Sequence, residues 1–338
     1  MVYITSVLLT LIFSLPIIVK QHPYHYDRKI LFKKEYGISA TFKLLCIIPM
    51  LIVSAARYNV GTDFLWTYYK GYLRVIEGSD EDKFEIGYKI LIKLLNCISS
   101  SPQILIIATS IIFVGMTWMA IYDQSTDIVM SLILVVITRY YFISFNVIRQ
   151  FMGMAIILYA LKYLYEKKRL KYIFFNLLAC SLHTSLLVCI VLAVVDKINF
   201  SKKKFSNYLI FVFMIILLGE FGILEKVIEL LLYNTKYIRH LSNKNLYVGI
   251  KFFIFTASLN LLILLMFYFS GKYQKNDIKY QLYFNIQCIT FLVCALMNVV
   301  PLMERIYWQF GFIQIISIPY IINMYKTRKT RQVLRFLI

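Results

Sequence analysis

Ten apolar runs govern what this chain can become: 2–19, 39–56, 103–121, 128–145, 147–165, 172–195, 207–219, 249–269, 281–300 and 306–323. Most are about 17 to 25 residues long, the length a helix needs to cross a hydrocarbon core of about 30 Å. Lipid offers the backbone no hydrogen-bond partner, so a run of this kind satisfies its amides internally as a helix. The expected fold is therefore all-α: a polytopic membrane helix bundle of about ten segments. No polar stretch is long enough to fold alone, so 1–338 reads as a single integral membrane domain. The run Val2–Val19 has no basic leader or small-residue cleavage site, and reads as a retained helix.

Composition agrees, at 60% hydrophobic, 16% charged and a mean hydropathy of +0.70. A soluble domain is nearer half apolar and a quarter charged. The net charge of +20 does not point to nucleic acid, because the basic residues cluster in short segments between the apolar runs. Such clusters mark cytoplasmic flanks. They occur at 20–38, 162–171, 196–206, 271–281 and after Tyr325, whereas 57–102 balances six basic residues with six acids. Met1 and the loops 57–102 and 220–248 are thus expected outside, and the C-terminus inside. Each loop carries an amphipathic stretch, Phe84–Ile98 and Phe221–Leu232, suited to the membrane surface. The six cysteines form no CxxC, so neither a zinc site nor a disulfide framework is expected.

One parity conflict arises. The basic segments 162–171 and 196–206 are separated by a single apolar run, so one crossing would put them on opposite sides. We therefore expect 172–195 to enter and return as a re-entrant helix pair turning near Ser181 to Ser185. A single straight helix that breaks the charge rule is the alternative.

Ionisable residues at membrane depth are costly and each calls for a reason. On this topology Arg57, Asp63, Arg139, Arg149, His183, Glu304 and Arg305 all border the outer face. Arg139 falls inside the run 128–145, about 9 Å from its end if the helix is continuous. Guanidinium groups suit a multiply charged oxyanion, which they grip bidentately while staying ionised. In bacteria the anion found there is a lipid pyrophosphate. Each residue also has a plainer reading. Arg57 and Arg149 can snorkel to headgroups, His183 can be a structural hydrogen bonder, and Asp63 can cap the turn at Gly61.

The segment Ala55-Ala56-Arg57-Tyr58-Asn59-Val60-Gly61-Thr62-Asp63, followed by Tyr68, resembles the signature of the EpsG family, within the broad Wzy class of polysaccharide polymerases. Phe84-Glu85-Ile86-Gly87-Tyr88, Val147-Ile148-Arg149-Gln150, Leu178 to Ser185 and Glu304-Arg305-Ile306-Tyr307 resemble further motifs in order and spacing. The resemblance covers nearly the whole chain. It implies a bacterial cytoplasmic-membrane enzyme, without metal or other cofactor, that joins polyprenyl-pyrophosphate-linked oligosaccharide units by inverting transfer into exopolysaccharide, capsule or O-antigen. In that reading Arg57, Arg139, Arg149 and Arg305 hold pyrophosphate. His183 is the base, with Asp63 and Glu304 as rivals, and Tyr58, Thr62, Tyr68, Glu85 and Gln150 contact substrate. A flippase for lipid-linked sugars, a glycan ligase and a membrane acyltransferase are the competing classes.

Overall fold

The computed structural model describes residues 2–21, 45–79, 84–195, 197–198, 202–232, 247–270, 277–325 and 327–337. Most of the basic segment 20–38, the part of the second loop at 233–246, and 271–276 lie outside the described residues. All regular structure among the described residues is helical. The chain divides into two compact units, Met1–Lys162 with Leu170–Leu187, and Tyr163–Arg169 with Val188–Ile338.

The first unit contains α1 (Val2–Gln21), α2 (Ile48–Ala55), one wide turn with i→i+5 bonding (Phe64–Tyr69), α3 (Lys70–Ile76), α4 (Ile86–Asn96), α5 (Gln103–Gln124), α6 (Ile128–Ile137), α7 (Tyr140–Ile143) and α8 (Ile148–Ala160). A short α9 (Lys162–Tyr165) leads to α10 (Arg169–Leu182) and a 3-10 helix, Thr184–Val191. Helix α5 is the axis of the unit: it packs on both α2 and α8, while α1 packs on α2 and α6. It is long and apolar enough to cross a membrane.

The run 128–145 is not continuous, which corrects the expected depth of Arg139. Helix α6 starts cleanly, with Asp127 accepting from Met130 N at 3.1 Å, but ends at Ile137. Arg139 then takes a left-handed φ of 65° and heads α7. Its side chain is exposed, so no buried partner is required of it.

At 172–195 the chain doubles back. Asn176 Nδ2 donates to Leu186 O at 3.2 Å, across ten residues. In a continuous helix those residues would stand about 15 Å apart. The helix instead stops at Leu182, and His183 is the break between α10 and the 3-10 helix. Ala179 and Leu186, one from each arm, both lie against Gly153 of α8.

The second unit holds α11 (Leu192–Val195), α12 (Lys202–Glu220), α13 (Ile223–Leu232), α14 (Ile250–Ser270), α15 (Ile278–Ala295), α16 (Met303–Gly311), α17 (Gln314–Met324) and α18 (Arg328–Leu337). Helix α15 is central, packing on α12, α14, α16 and α17. Asp277 fixes its start by accepting from Lys279 N and Tyr280 N at 2.9 and 3.2 Å. Three buried amides tie the unit together. Gln314 Nε2 donates to Asn260 Oδ1 at 2.7 Å and to Gln287 Oε1 at 3.0 Å, and Gln287 Nε2 donates to Asn260 Oδ1 at 3.1 Å. Asn260 Nδ2 in turn donates to the Tyr307 hydroxyl at 3.0 Å.

Among the described residues, α5 and α14 can each cross a membrane by length and apolarity. A third candidate is the pair Lys204–Glu220 and Ile223–Leu230, bent by 85°. Run 2–19 lies within the single helix α1, whereas 128–145, 147–165, 172–195 and 306–323 are divided among shorter helices. The breaks come at polar or strained points: His183, Arg139 at positive φ, and Leu302 at φ 61° before α16.

Candidate active site

The motifs around Arg57, Glu85, Arg149 and His183 meet in the first unit. Gly61 has φ 100°, a region that suits glycine. A Cβ there would press on the Asn146 side chain and stand 3.5 Å from Phe145 O. The loop that begins at Arg57 thus lies flat on the turn leading to Arg149. Tyr68 clamps it: its hydroxyl donates to Asn146 O at 2.6 Å and accepts from Ile148 N at 3.0 Å. That second bond satisfies one of the donors left open at the start of α8.

Arg57 points inward and is 6% exposed. Its Nη1 donates to Ser54 O at 2.5 Å and to the Ser110 hydroxyl at 3.0 Å, and the guanidinium lies 4.6 Å from the Phe145 ring centroid. A void of about 10 Å³ adjoins it, lined by Ser54, Thr109, Ser110 and Ser144 among others. This cradle of hydroxyls stabilises a cation inside an apolar bundle.

Beside it lies a tighter charged cluster. Glu85 sits just before the first residue of α4, and its side chain caps nothing in its own helix. It reaches instead to three groups from elsewhere. One carboxylate oxygen pairs with Arg149 Nη1. The other lies 2.8 Å from His183 Nδ1 and accepts from Thr184 N at 3.2 Å. The three side chains are 13 to 19% exposed. Arg149 also lies over the rings of Phe84 and Tyr88, 5.0 and 5.7 Å from their centroids. Gly87 permits the close approach of α4 to the hairpin: a Cβ there would sit 2.8 Å from both Ser181 Cβ and Ser181 O.

Burial alone would push the Glu85 carboxyl up. The hydrogen bond with His183 and the positive charge of Arg149 outweigh it, and hold the group at about 2 against an ordinary 4.5. An ionised carboxylate only accepts hydrogen bonds, so His183 Nδ1 carries the hydrogen. In the neutral ring Nε2 is then the basic nitrogen. The cluster is an oriented base next to a fixed cation.

A match to the model of one protein family spans residues 40–338. The chain belongs to the EpsG family. This makes it a membrane protein of polysaccharide biosynthesis, in keeping with its apolar helices. No curated protein matches the chain, nor does any solved structure.

The remaining expected residues of this EpsG-family chain fall in different places. Asp63 is half-buried at the head of the wide turn, where its carbonyl accepts from Thr67 N and Tyr68 N at 3.0 and 3.2 Å. Tyr58 and Thr62 are exposed, whereas Tyr68 and Gln150 are inside the fold and touch protein. Arg139 stands exposed at the α6–α7 break. Glu304 and Arg305 belong to the second unit, in the first turn of α16, half-buried and exposed respectively. Sequence reasoning assigned Glu85 to substrate, and it proves to be the link between Arg149 and His183. Its partners lie 64 and 98 residues away, so local pattern held no sign of them. It missed the serine cradle around Arg57, for which Ser54 three residues upstream was the one local sign.

Proposed function

We propose that the protein polymerises polyprenyl-pyrophosphate-linked oligosaccharide repeat units into a surface polysaccharide at the outer face of the cytoplasmic membrane. In this reading the ten apolar segments traverse or enter the bilayer, 172–195 is re-entrant, the N-terminus is outside and the C-terminus cytoplasmic. Family membership supports the pathway. The observation that carries the chemistry is the shared carboxylate of Glu85, which orients His183 and anchors Arg149 in one cluster.

The acceptor hydroxyl of one lipid-linked unit attacks the anomeric carbon of the growing chain from the face opposite its pyrophosphate. Its proton passes to His183 Nε2 as the new C–O bond forms. The old anomeric C–O bond breaks with both electrons leaving on the pyrophosphate, so configuration inverts. Arg149, with Arg57, stabilises the charge that gathers on the leaving group. Preorganised donors of this kind are worth roughly 10²- to 10³-fold each. Exposed Tyr58 and Thr62 contact the glycan. Asp63 is the alternative base, and Arg139 serves as a peripheral attraction for the diphosphate.

The test is chromosomal substitution of His183→Ala and Arg149→Gln with membrane levels checked. The expected outcome is accumulation of single repeat units outside the cell. Normal polymer length in both strains would sink the assignment, and repeat units trapped inside would identify a flippase.

A further inference from the structure

The first unit contains a buried hydroxyl that the cluster described above leaves unused. Tyr88 of α4 is wholly buried, yet among the described residues its Oη has no hydrogen-bond partner. A buried tyrosine usually finds one, and an orphaned hydroxyl in a native fold requires an explanation. Its position suggests the explanation. The ring lies under the Arg149 guanidinium, beside Phe84 at 5.3 Å between centroids. The phenol is within electrostatic reach of Arg57, Arg149, Glu85 and Tyr68. The cation in the serine cradle and the cation paired with Glu85 are thus both within its reach.

We infer that Tyr88 Oη is a hydrogen-bond donor to a non-bridging oxygen of the diphosphate, completing a site whose cations are Arg149 and Arg57. The inference rests on the diphosphate reading given above and adds a residue to it. A phosphate oxyanion can accept from Arg149 in place of the single Glu85 oxygen that does so now. When it takes the place of the carboxylate, the guanidinium that lies over Tyr88 moves and the hydroxyl is uncovered. Glu85 then keeps its bonds to His183 and Thr184. Burial drives the phenol well above 10, and neighbouring Tyr68 and Glu85 push the same way against the two arginines. The hydroxyl thus stays protonated at any working pH, and its role is that of a donor and not of a base.

Tyr88→Phe isolates this hydroxyl, since it keeps the ring under Arg149. The full chain in lipid nanodiscs would be titrated with inorganic pyrophosphate and with farnesyl pyrophosphate, with binding read by thermal shift. The expected result is affinity about tenfold to a hundredfold weaker for Y88F, the usual range for one hydrogen bond to a charged group. Its probe-free unfolding midpoint should equal or exceed that of the wild type, because an unpartnered hydroxyl has been removed. Equal affinity in Y88F and wild type would overturn the inference and leave the polymerase reading standing. Weaker binding with a lowered probe-free midpoint would also overturn it, since the hydroxyl would then serve the fold. A wild-type chain that binds neither probe would remove the diphosphate reading itself.

Discussion

Replacing Glu85 by glutamine keeps the shape of the side chain but removes one charge and turns one acceptor into a donor. An amide has one acceptor end and one donor end. Arg149 only donates, so the amide oxygen must face it. The NH₂ group is then turned toward His183 Nδ1 and Thr184 N, where the carboxylate accepted at 2.8 and 3.2 Å. Thr184 N–H meets another donor. His183 accommodates the NH₂ only by accepting at Nδ1, which moves its hydrogen to Nε2 and removes the basic lone pair. Losing a positioned general base costs about 10²- to 10⁴-fold. Stability falls as well. Holding the carboxyl at about 2 instead of 4.5 corresponds to about 3 kcal/mol at roughly 1.36 kcal/mol per pH unit. The assay is single-turnover polymerisation of a purified lipid-linked repeat unit, with thermal unfolding of the same preparation. E85Q at more than half the wild-type rate, with an unchanged midpoint, would refute the reasoning.

Three further outcomes are expected. The stability that Glu85 contributes should be fully present above about pH 4.5 and lost as pH falls toward 2, because its folded-state value is depressed. The gap in unfolding midpoint between wild type and E85Q should therefore be constant from pH 7 to 5 and close below that; a gap that widens on acidification would contradict this. Gly87→Ala forces a methyl against Ser181, whose backbone oxygen lies 2.8 Å away, and should cost about 1–3 kcal/mol while pulling Glu85 from His183. Activity in G87A should drop at least tenfold, with partial recovery in G87A/S181G. Asn260→Leu leaves the Gln287 and Gln314 amides without their shared acceptor, and should lower stability by about 1–3 kcal/mol, read as an earlier unfolding transition with the polymer product unchanged in length.

The legible part of the fold was the part written in local pattern. Apolar runs announced helices, and the amphipathic stretches at Phe84–Ile98 and Phe221–Leu232 became α4 and α13. The polar step from Ser181 to Ser185 in an apolar run marked the reversal at His183. By contrast, no glycine or proline lies near Arg139, so hydropathy read straight through a break made by backbone strain. The inward turn of Arg57 depends on Ser110, 53 residues further on. Asn260, Gln287 and Gln314 sit singly on three runs, where each looks like a tolerated exception. Only their meeting reveals an amide network. Motif resemblance singled out Arg57, Glu85, Arg149 and His183, but a motif names residues and not the bonds between them.

Because Glu85 leaves its own helix uncapped and answers only to distant groups, α4 depends on parts of the chain made later. On the ribosome Glu85 emerges 64 residues ahead of Arg149 and 98 ahead of His183. Until then the segment before α4 carries a lone carboxylate, and waits for the rest of its unit. Nascent chains halted near Tyr165 should accordingly be cut by added protease within 77–98, and chains halted beyond Val195 should resist. The Glu85 cluster thus closes only after residues from both ends of its unit have been made.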